Sequence, residues 1–183
     1  QVGKTASILQ FAHSNYKNVV AINFVLQPKY KAIFEEGYEV DDIIRNLTLI
    51  DPSLKIEPTN TLIFFDEMQD CPACATSLKA FKIDGRYDVI CSGSLMGINY
   101  QEIESNSVGY KEDYTMHSMD FEEFLWAKGY DSSFINSLYD KMTTITPLTR
   151  IEMDILEKIF REYMTIGGMP AVVNQFVSNN NFS

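Results

Sequence analysis

Short runs of apolar residues, four to six positions long, recur along the first two thirds of the chain. A continuous apolar run of this length is typical of a strand that is buried on both faces. Between these runs, apolar residues recur at helical spacing, and strands that alternate with helices predict a parallel sheet with helices on both faces. The predicted strands are residues 19–24, 62–66, 88–92 and, more weakly, 113–116, and the predicted helices are residues 5–14, 40–49 and 74–83.

The pattern changes near residue 119, and from there onward almost every segment is predicted to be helical. Asp120 is the expected N-cap of the first of these helices, with Glu123 at the third position. A longer helix is predicted at residues 151–165, with an apolar face formed by Ile151, Ile155, Ile159 and Phe160. We therefore expect an α/β core at residues 1–119 and an all-helical piece at residues 120–183.

Composition narrows the class of protein. The chain has 183 residues, of which 45% are hydrophobic, so it can bury a sizeable core. No run approaches the roughly 20 apolar residues of a membrane span, and no signal-peptide pattern opens the chain, so we expect a cytoplasmic protein. The net charge of -10 disfavours direct nucleic-acid binding, because an acidic surface repels phosphate backbones.

The cysteines do not form a recognisable metal or disulfide pattern. Cys71, Cys74 and Cys91 are too few for a disulfide framework, and the pair Cys71 and Cys74 is a lone C-x-x-C. A structural zinc site needs four ligands, and the two histidines stand at no ligand spacing. We expect ordinary thiols.

The chain opens with Gln-Val-Gly-Lys-Thr, the second half of the motif G-x-x-x-x-G-K-[ST]. Gly3 would let the backbone approach a phosphate, and the N–H groups from Val2 to Ala6 would face the anion at a helix N-terminus. Lys4 would supply positive charge to the β- and γ-phosphates, and Thr5 a hydroxyl to Mg²⁺. Alone, such a tripeptide also occurs at ordinary solvated helix starts.

A second motif lies 61 residues after Thr5, where the strand at residues 62–66 ends in Asp66 and Glu67. A parallel strand delivers its last side chains to the edge of the sheet where ligands bind. Asp66 can hold the Mg²⁺ shell, and Glu67 can orient and deprotonate an attacking water. A strand followed by a polar turn is the alternative, but its pairing with Gly-Lys-Thr favours nucleotide binding.

The strand at residues 88–92 ends in Ser92-Gly93-Ser94 and is expected to lie beside the strand that ends in Asp66. A hydroxyl from Ser92 or Ser94 could reach the γ-phosphate or the attacking water. By itself the segment would be interpreted as a simple turn.

In their order along the chain, these motifs resemble those of uncharacterised prokaryotic AAA-type ATPases that carry a C-terminal domain of unknown function. The resembling segments are G-K-T, F-F-D-E-M-Q, S-G-S-L, D-F-E-E-F-L and Y-M-T-I-G-G-M-P, which span nearly the whole chain. The resemblance implies a three-layer P-loop NTPase core, a Mg-ATP site at the residues named above, and a serine segment that senses the γ-phosphate. It also implies that residues 120–183 form a small helical lid.

Further roles follow from the resemblance alone. Pro170, after Gly167-Gly168, would pack near the base or sugar, although a helix corner that needs glycines would have the same sequence. Many relatives place Gly-Arg where Gly109-Tyr110 stands here, so the arginine finger is open, and Arg86 is the first arginine to test. A homo-oligomer and a C-terminal partner domain beyond residue 183 are expected by analogy.

In this family the strand before the phosphate-binding loop lies in the middle of the sheet, and the chain begins after it. We therefore expect residues 1–183 alone to bind ATP poorly and to aggregate, because the sheet would lack its centre. For the intact protein the leading hypothesis is Mg-dependent ATP hydrolysis that drives or gates the partner domain. The alternative is a nucleotide-dependent switch or scaffold with little turnover.

Overall fold

The structure is a computed structural model that describes residues 2–93 and 109–179. Two compact units are present. One comprises Lys4–Tyr114, and the other comprises Thr115–Ser183 together with Gln1–Gly3. The first contains the sheet, and in the second all the described secondary structure is helical.

The sheet has three parallel strands in the order in which they occur along the chain, β1 (Asn18–Asn23), β2 (Thr61–Asp66) and β3 (Asp88–Cys91). β2 pairs with β1 along its whole length and with β3 over four residues. Every residue of β2 is buried, as the continuous apolar run predicts for a central strand. The α/β fold with a parallel sheet, followed by helices, is confirmed.

β1 and β3 both pair directly with β2. The strand that the family resemblance places before the phosphate-binding loop stays a prediction. The weak strand predicted at residues 113–116 is wrong, because this segment has no regular secondary structure and Tyr114 is 86% exposed.

An α-helix precedes each strand of the first unit. These helices are α1 (Lys4–Asn15), α2 (Val40–Ile50) and α3 (Pro72–Asp84), with 3₁₀ turns at Pro28–Phe34 and Met68–Asp70. Alternate residues of β1 and β2 meet the 3₁₀ turn at Pro28–Phe34, α2 and α3 in one hydrophobic cluster. Its centre is aromatic, because the ring of Phe65 lies 5.6 Å from that of Phe24 and 5.8 Å from that of Phe34. This packing fixes β2 and therefore the position of the residues that follow it.

The second unit contains α4 (Phe121–Ala127), α5 (Ser132–Thr143), α6 (Arg150–Ile166) and α7 (Pro170–Asn179). Asp120 and Glu123 form the reciprocal capping box predicted at the start of α4. A separate hydrophobic cluster joins these helices around Phe124, Ile159 and Phe176. No helix in the described part of the chain has the length and apolar character that a membrane span requires.

The apolar face predicted for α6 is only partly right. Ile159 is buried, but Ile151 is 73% exposed, and Ile155 and Phe160 are also exposed. The helix instead turns Leu156, Ile159, Tyr163 and Ile166 toward the cluster. These four positions follow the i, i+3, i+7 spacing equally well, so spacing alone could not choose between two overlapping apolar stripes.

The glycine pair after α6 has a structural role within the helical unit. Gly167 ends α6 with a positive φ of 74°. At Gly168 a Cβ would lie 2.0 Å from the carbonyl oxygen of Met119, and the Gly168 carbonyl accepts a hydrogen bond from the Met119 N–H at 2.8 Å. Only glycine permits this approach of two backbones, which ties the start of α7 to the segment before α4.

Candidate functional site

Four hydrogen bonds converge on the carboxylate of Asp66 at the end of β2. Thr5 Oγ1 and Asn23 Nδ2 each donate to Asp66 Oδ2 at 3.0 Å. Ser92 Oγ and the backbone N–H of Glu67 donate to Asp66 Oδ1. Asp66 is 6% exposed, and hydrogen bonds from three other segments of the chain orient this nearly buried carboxylate.

Strand register explains why these residues meet. Asn23 is paired with Asp66 as the last residue of β1, and Ser92 follows Cys91, which pairs with Phe65. Parallel strands end at the same edge, so three consecutive strands deliver an amide, a carboxylate and a hydroxyl side by side. We call this the carboxyl edge of the sheet.

Lys4 and Thr5 come to this edge from the first turn of α1. The Lys4 ammonium donates to the carbonyl oxygen of Gly93 at 2.9 Å, immediately after Ser92. The N–H groups in the first turn of a helix have no intrahelical partner, which makes this turn favourable for an anion. Lys4, Thr5, Asp66 and Ser92, named from separate motifs, are thus brought together.

The remaining predicted site residues are less closely tied to this edge. Ala6 is exposed in the first turn of α1, and Val2 precedes that helix. Gly3 has a φ of 89°, a conformation that favours glycine. Pro170 begins α7 in the helical unit, and its Cγ lies 3.7 Å from the position of a Cβ on Gly3, which belongs to the same unit. Ser94 lies outside the described residues.

Glu67 follows Asp66 in a left-handed backbone conformation, with φ 57° and ψ 48°. Such a conformation is unusual for a residue with a Cβ and turns the chain sharply into the 3₁₀ turn at Met68–Asp70. The carboxylate of Glu67 accepts a hydrogen bond from Nε2 of Gln69. The Glu67 carboxylate therefore follows the Asp66 carboxylate in the chain and is not one of the groups that bond to it.

Two residues of the site were missed by sequence reasoning, Asn23 and Gln69. An asparagine at the end of a strand reads as the start of a turn, and Asn23 does accept hydrogen bonds from the N–H groups of Val25 and Leu26. The one indication of a role for Asn23 was its position at the end of the strand next to β2. Gln69 gave none, because its contact with Glu67 depends on the left-handed turn.

The oxygen donors at the carboxyl edge fit a small hard cation. Mg²⁺ prefers carboxylate and hydroxyl oxygens and usually keeps several ligands from water and substrate phosphates. Thr5 and Asp66 present such oxygens 3.0 Å apart. Within residues 2–93 and 109–179, no cluster of three or more His, Cys, Asp or Glu side chains could hold a metal by itself. The residues therefore fit Mg²⁺ that arrives with a phosphate ligand.

The Cys74 thiol lies against Cys91, which is not part of the C-x-x-C motif. The Cys74 and Cys91 sulfur atoms lie 3.8 Å apart, and all three cysteines are free thiols. Burial of the Cys74 side chain raises the pKa of its thiol well above the usual value. The thiol is therefore protonated near neutral pH and is part of the core.

Arg86, the first arginine to test as an arginine finger, lies just before β3 at the opposite edge of the sheet. Its guanidinium donates to Asp84 at 2.7 Å and to Asp41 at 2.6 Å. These hydrogen bonds hold the pKa of Arg86 above its usual value and engage the side chain away from Asp66.

The fold is an α/β P-loop-like core in which a hydroxyl at a helix start contacts a strand-borne carboxylate, and the preceding lysine contacts the end of the neighbouring strand's extension at Gly93. Residues 1–125 match a family model described as an AAA domain. The match covers more than half of the chain, so the chain belongs to the AAA domain family, whose members are nucleotide-binding, ATPase-like domains. No match was found among curated proteins or among solved structures.

Proposed function

We propose that this protein binds Mg-ATP at the carboxyl edge of its sheet and hydrolyses it. One observation carries the proposal, the 3.0 Å hydrogen bond from Thr5 to Asp66 across 61 residues of sequence. This contact joins the hydroxyl of the phosphate-binding segment to the acid that follows the buried strand. Membership of the AAA domain family supports the same function.

Lys4 and the first turn of α1 would bind the triphosphate. The Lys4 ammonium donates to the Gly93 carbonyl oxygen, a neutral acceptor. A phosphate oxygen is a stronger acceptor because it carries charge, so Lys4 is poised to exchange one partner for the other. The free N–H groups from Val2 to Ala6 would complete this anion site.

Thr5 and Asp66 would hold Mg²⁺, with Asn23 and Ser92 orienting the carboxylate. The ion would neutralise charge on the β- and γ-phosphate oxygens as the terminal bond breaks. Since the hydroxyl of Ser92 donates to Asp66, Ser92 would act on the nucleotide through that carboxylate. Ser94 keeps its predicted role as a γ-phosphate sensor.

Glu67 would orient the attacking water and accept its proton. It directly follows Asp66, so its carboxylate can reach a water beside a phosphate held there. In the same proposal the helical residues 120–183 form a lid over the nucleotide and Pro170 contacts it. If Pro170→Ala left the affinity for ATP unchanged, the proposed contact between Pro170 and the nucleotide would be wrong.

The test compares Glu67→Gln with Glu57→Gln in the full-length protein. Glu57 pairs with Lys17 at 3.0 Å at the other edge of the sheet, which makes it a matched control. Glu67→Gln should keep ATP affinity and lower the rate of phosphate release about 10²-fold to 10⁴-fold, the usual contribution of a general base. Glu57→Gln should leave both unchanged.

The same measurement separates hydrolysis from a nucleotide-dependent switch. A switch would bind ATP without steady-state phosphate release in the unmodified protein. Equal phosphate release by the unmodified protein and Glu67→Gln would remove Glu67 from its proposed role. A cytoplasmic location belongs to the same proposal and follows from the sequence pattern. A homo-oligomer and a gated C-terminal partner domain also belong to it and follow from the family resemblance.

A further inference from the structure

The turn after β2 is bonded to the segment after β3, outside the regular pairing of the sheet. The Met68 N–H donates to the carbonyl oxygen of Ser92 at 2.9 Å, and the Ser92 N–H donates to Phe65 at 2.9 Å. The chain that bears Glu67 therefore keeps a fixed relation to Ser92 and Gly93. This relation depends on the left-handed conformation of Glu67, which redirects the backbone after Asp66.

Within this turn the side-chain amide of Gln69 lies between two parts of the site. Its Nε2 donates to the carboxylate of Glu67, and its Oε1 lies against Gly93. A Cβ on residue 93 would be 2.8 Å from Gln69 Oε1, closer than real Cβ contacts occur. The carbonyl of the same Gly93 accepts the hydrogen bond from Lys4.

We infer that Gln69 is a positioning residue that holds the Glu67 carboxylate in place to activate the water that attacks the γ-phosphate. Its amide fixes the carboxylate through one hydrogen bond, and the absence of a side chain at Gly93 leaves the space that the amide needs. The inference rests on the proposed function, because it assigns to Glu67 the role of the base.

An amide suits this role better than an acid or an aliphatic side chain. Gln69 donates a hydrogen bond to the carboxylate without removing its charge, so Glu67 remains able to accept a proton. A carboxylate at residue 69 would have no donor and would repel Glu67. The position of a general base matters steeply, since a displacement of about 1 Å can cost about 10²-fold in rate.

The first experiment measures ATP turnover of Gln69→Glu and Gln69→Ala in the full-length protein. Both should lower kcat about 10-fold to 100-fold, since the base loses its fixed position. KM for ATP should stay within about threefold, because the lost interaction belongs to the transition state and not to binding. Gln10→Ala, an exposed glutamine on α1, is the control and should behave as the unmodified protein.

The second experiment is a double-mutant cycle between residues 69 and 93. Gly93→Ala should lower kcat because the new methyl group displaces the Gln69 amide. In a Gln69→Ala background the same change should cost little, since the amide is already gone and the methyl group has space. Such non-additivity is the signature of two residues that act through one contact.

The outcomes separate this inference from the proposed function. Absent turnover in the unmodified protein contradicts both. Turnover that is lost in Glu67→Gln and unchanged in Gln69→Glu and Gln69→Ala contradicts the role of Gln69 alone. A rise in KM with unchanged kcat, or additive effects of Gln69→Ala and Gly93→Ala, would also overturn that role.

Discussion

Polar side chains at the carboxyl edge of the sheet converge on one carboxylate. Charged side chains at the amino edge, where the strands begin, instead form separate small groups. At the amino edge Lys17 pairs with Glu57, Tyr16 donates to Asp88 at 2.7 Å, and Arg86 pairs with two aspartates. At the carboxyl edge, side chains from α1, β1 and the segment after β3 all donate to Asp66.

The difference lies in what each edge leaves available. Each of these charges at the amino edge has a nearby opposite charge or hydrogen-bond donor, and most of the groups are exposed, so the pairs contribute little and need no ligand. At the carboxyl edge, the acceptor that the described residues offer to the Lys4 ammonium is only a carbonyl oxygen, and the donors gather around a single nearly buried acid. An arrangement of this kind suits a ligand that brings both negative charge and a cation.

The largest expected contrast comes from the lysines of the two edges. Lys4→Ala should weaken ATP binding about 100-fold, because a charged partner of the phosphates is lost. Lys17→Ala should leave binding unchanged, since Lys17 faces Glu57 at the amino edge. Isothermal titration calorimetry with ATP and Mg²⁺ measures both, and equal affinities of the two variants would erase the proposed difference between the edges.

A smaller contrast comes from the asparagines that border β1 and β2. Asn23→Ala removes a donor to Asp66 and should raise the Mg²⁺ concentration that half-saturates ATP turnover about 10-fold, as expected for a residue that orients a metal ligand. Asn60 directly precedes β2 at the amino edge, and Asn60→Ala should change nothing. If the Mg²⁺ dependence of Asn23→Ala matched that of Asn60→Ala, Asn23 would have no part in the site.

Tyr16 at the amino edge should make the stability of the fold depend on pH, without any effect on ATP turnover. Its hydrogen bond to Asp88 raises the pKa of Tyr16 to about 12, from the usual value of 10.0. A raised pKa means that folding favours the protonated phenol. The stabilisation is complete below pH 10.0 and is lost as the pH rises through about 12.

Titration of ¹³C-labelled tyrosine by NMR checks this value. Asp88→Asn should return the pKa of Tyr16 toward its usual value, while ATP turnover near neutral pH stays the same. A Tyr16 pKa that does not change in Asp88→Asn would mean that this pair does not set it.

Much of the sheet could be predicted from the sequence, because its signals are local. Residues 62–65 are continuously apolar, and a central strand buried on both faces requires that pattern. The acids that follow come to the ligand-binding edge by strand direction alone. Asn23 could not be recognised in this way, since its role depends on the register between β1 and β2.

Other features depended on contacts that no local pattern encodes. The prediction of the buried face of α6 was wrong because Ile155 and Leu156 lie on overlapping apolar stripes. Only the neighbouring helices decide which stripe is covered. Gln69 meets Glu67 because Glu67 adopts a left-handed conformation. A single sequence gives little indication of such a conformation at a glutamate.

The central claim is that the acid at the carboxyl edge, and not its counterpart at the amino edge, holds the cation of Mg-ATP. Asp66 ends β2 and Asp88 begins β3, so Asp66→Asn and Asp88→Asn remove one strand-terminal charge from each edge. Calorimetric binding of a non-hydrolysable ATP analogue, with and without Mg²⁺, measures the contribution of the cation. The account predicts that Asp66→Asn abolishes the Mg²⁺-dependent gain in affinity and Asp88→Asn retains it. A full gain in Asp66→Asn would contradict it.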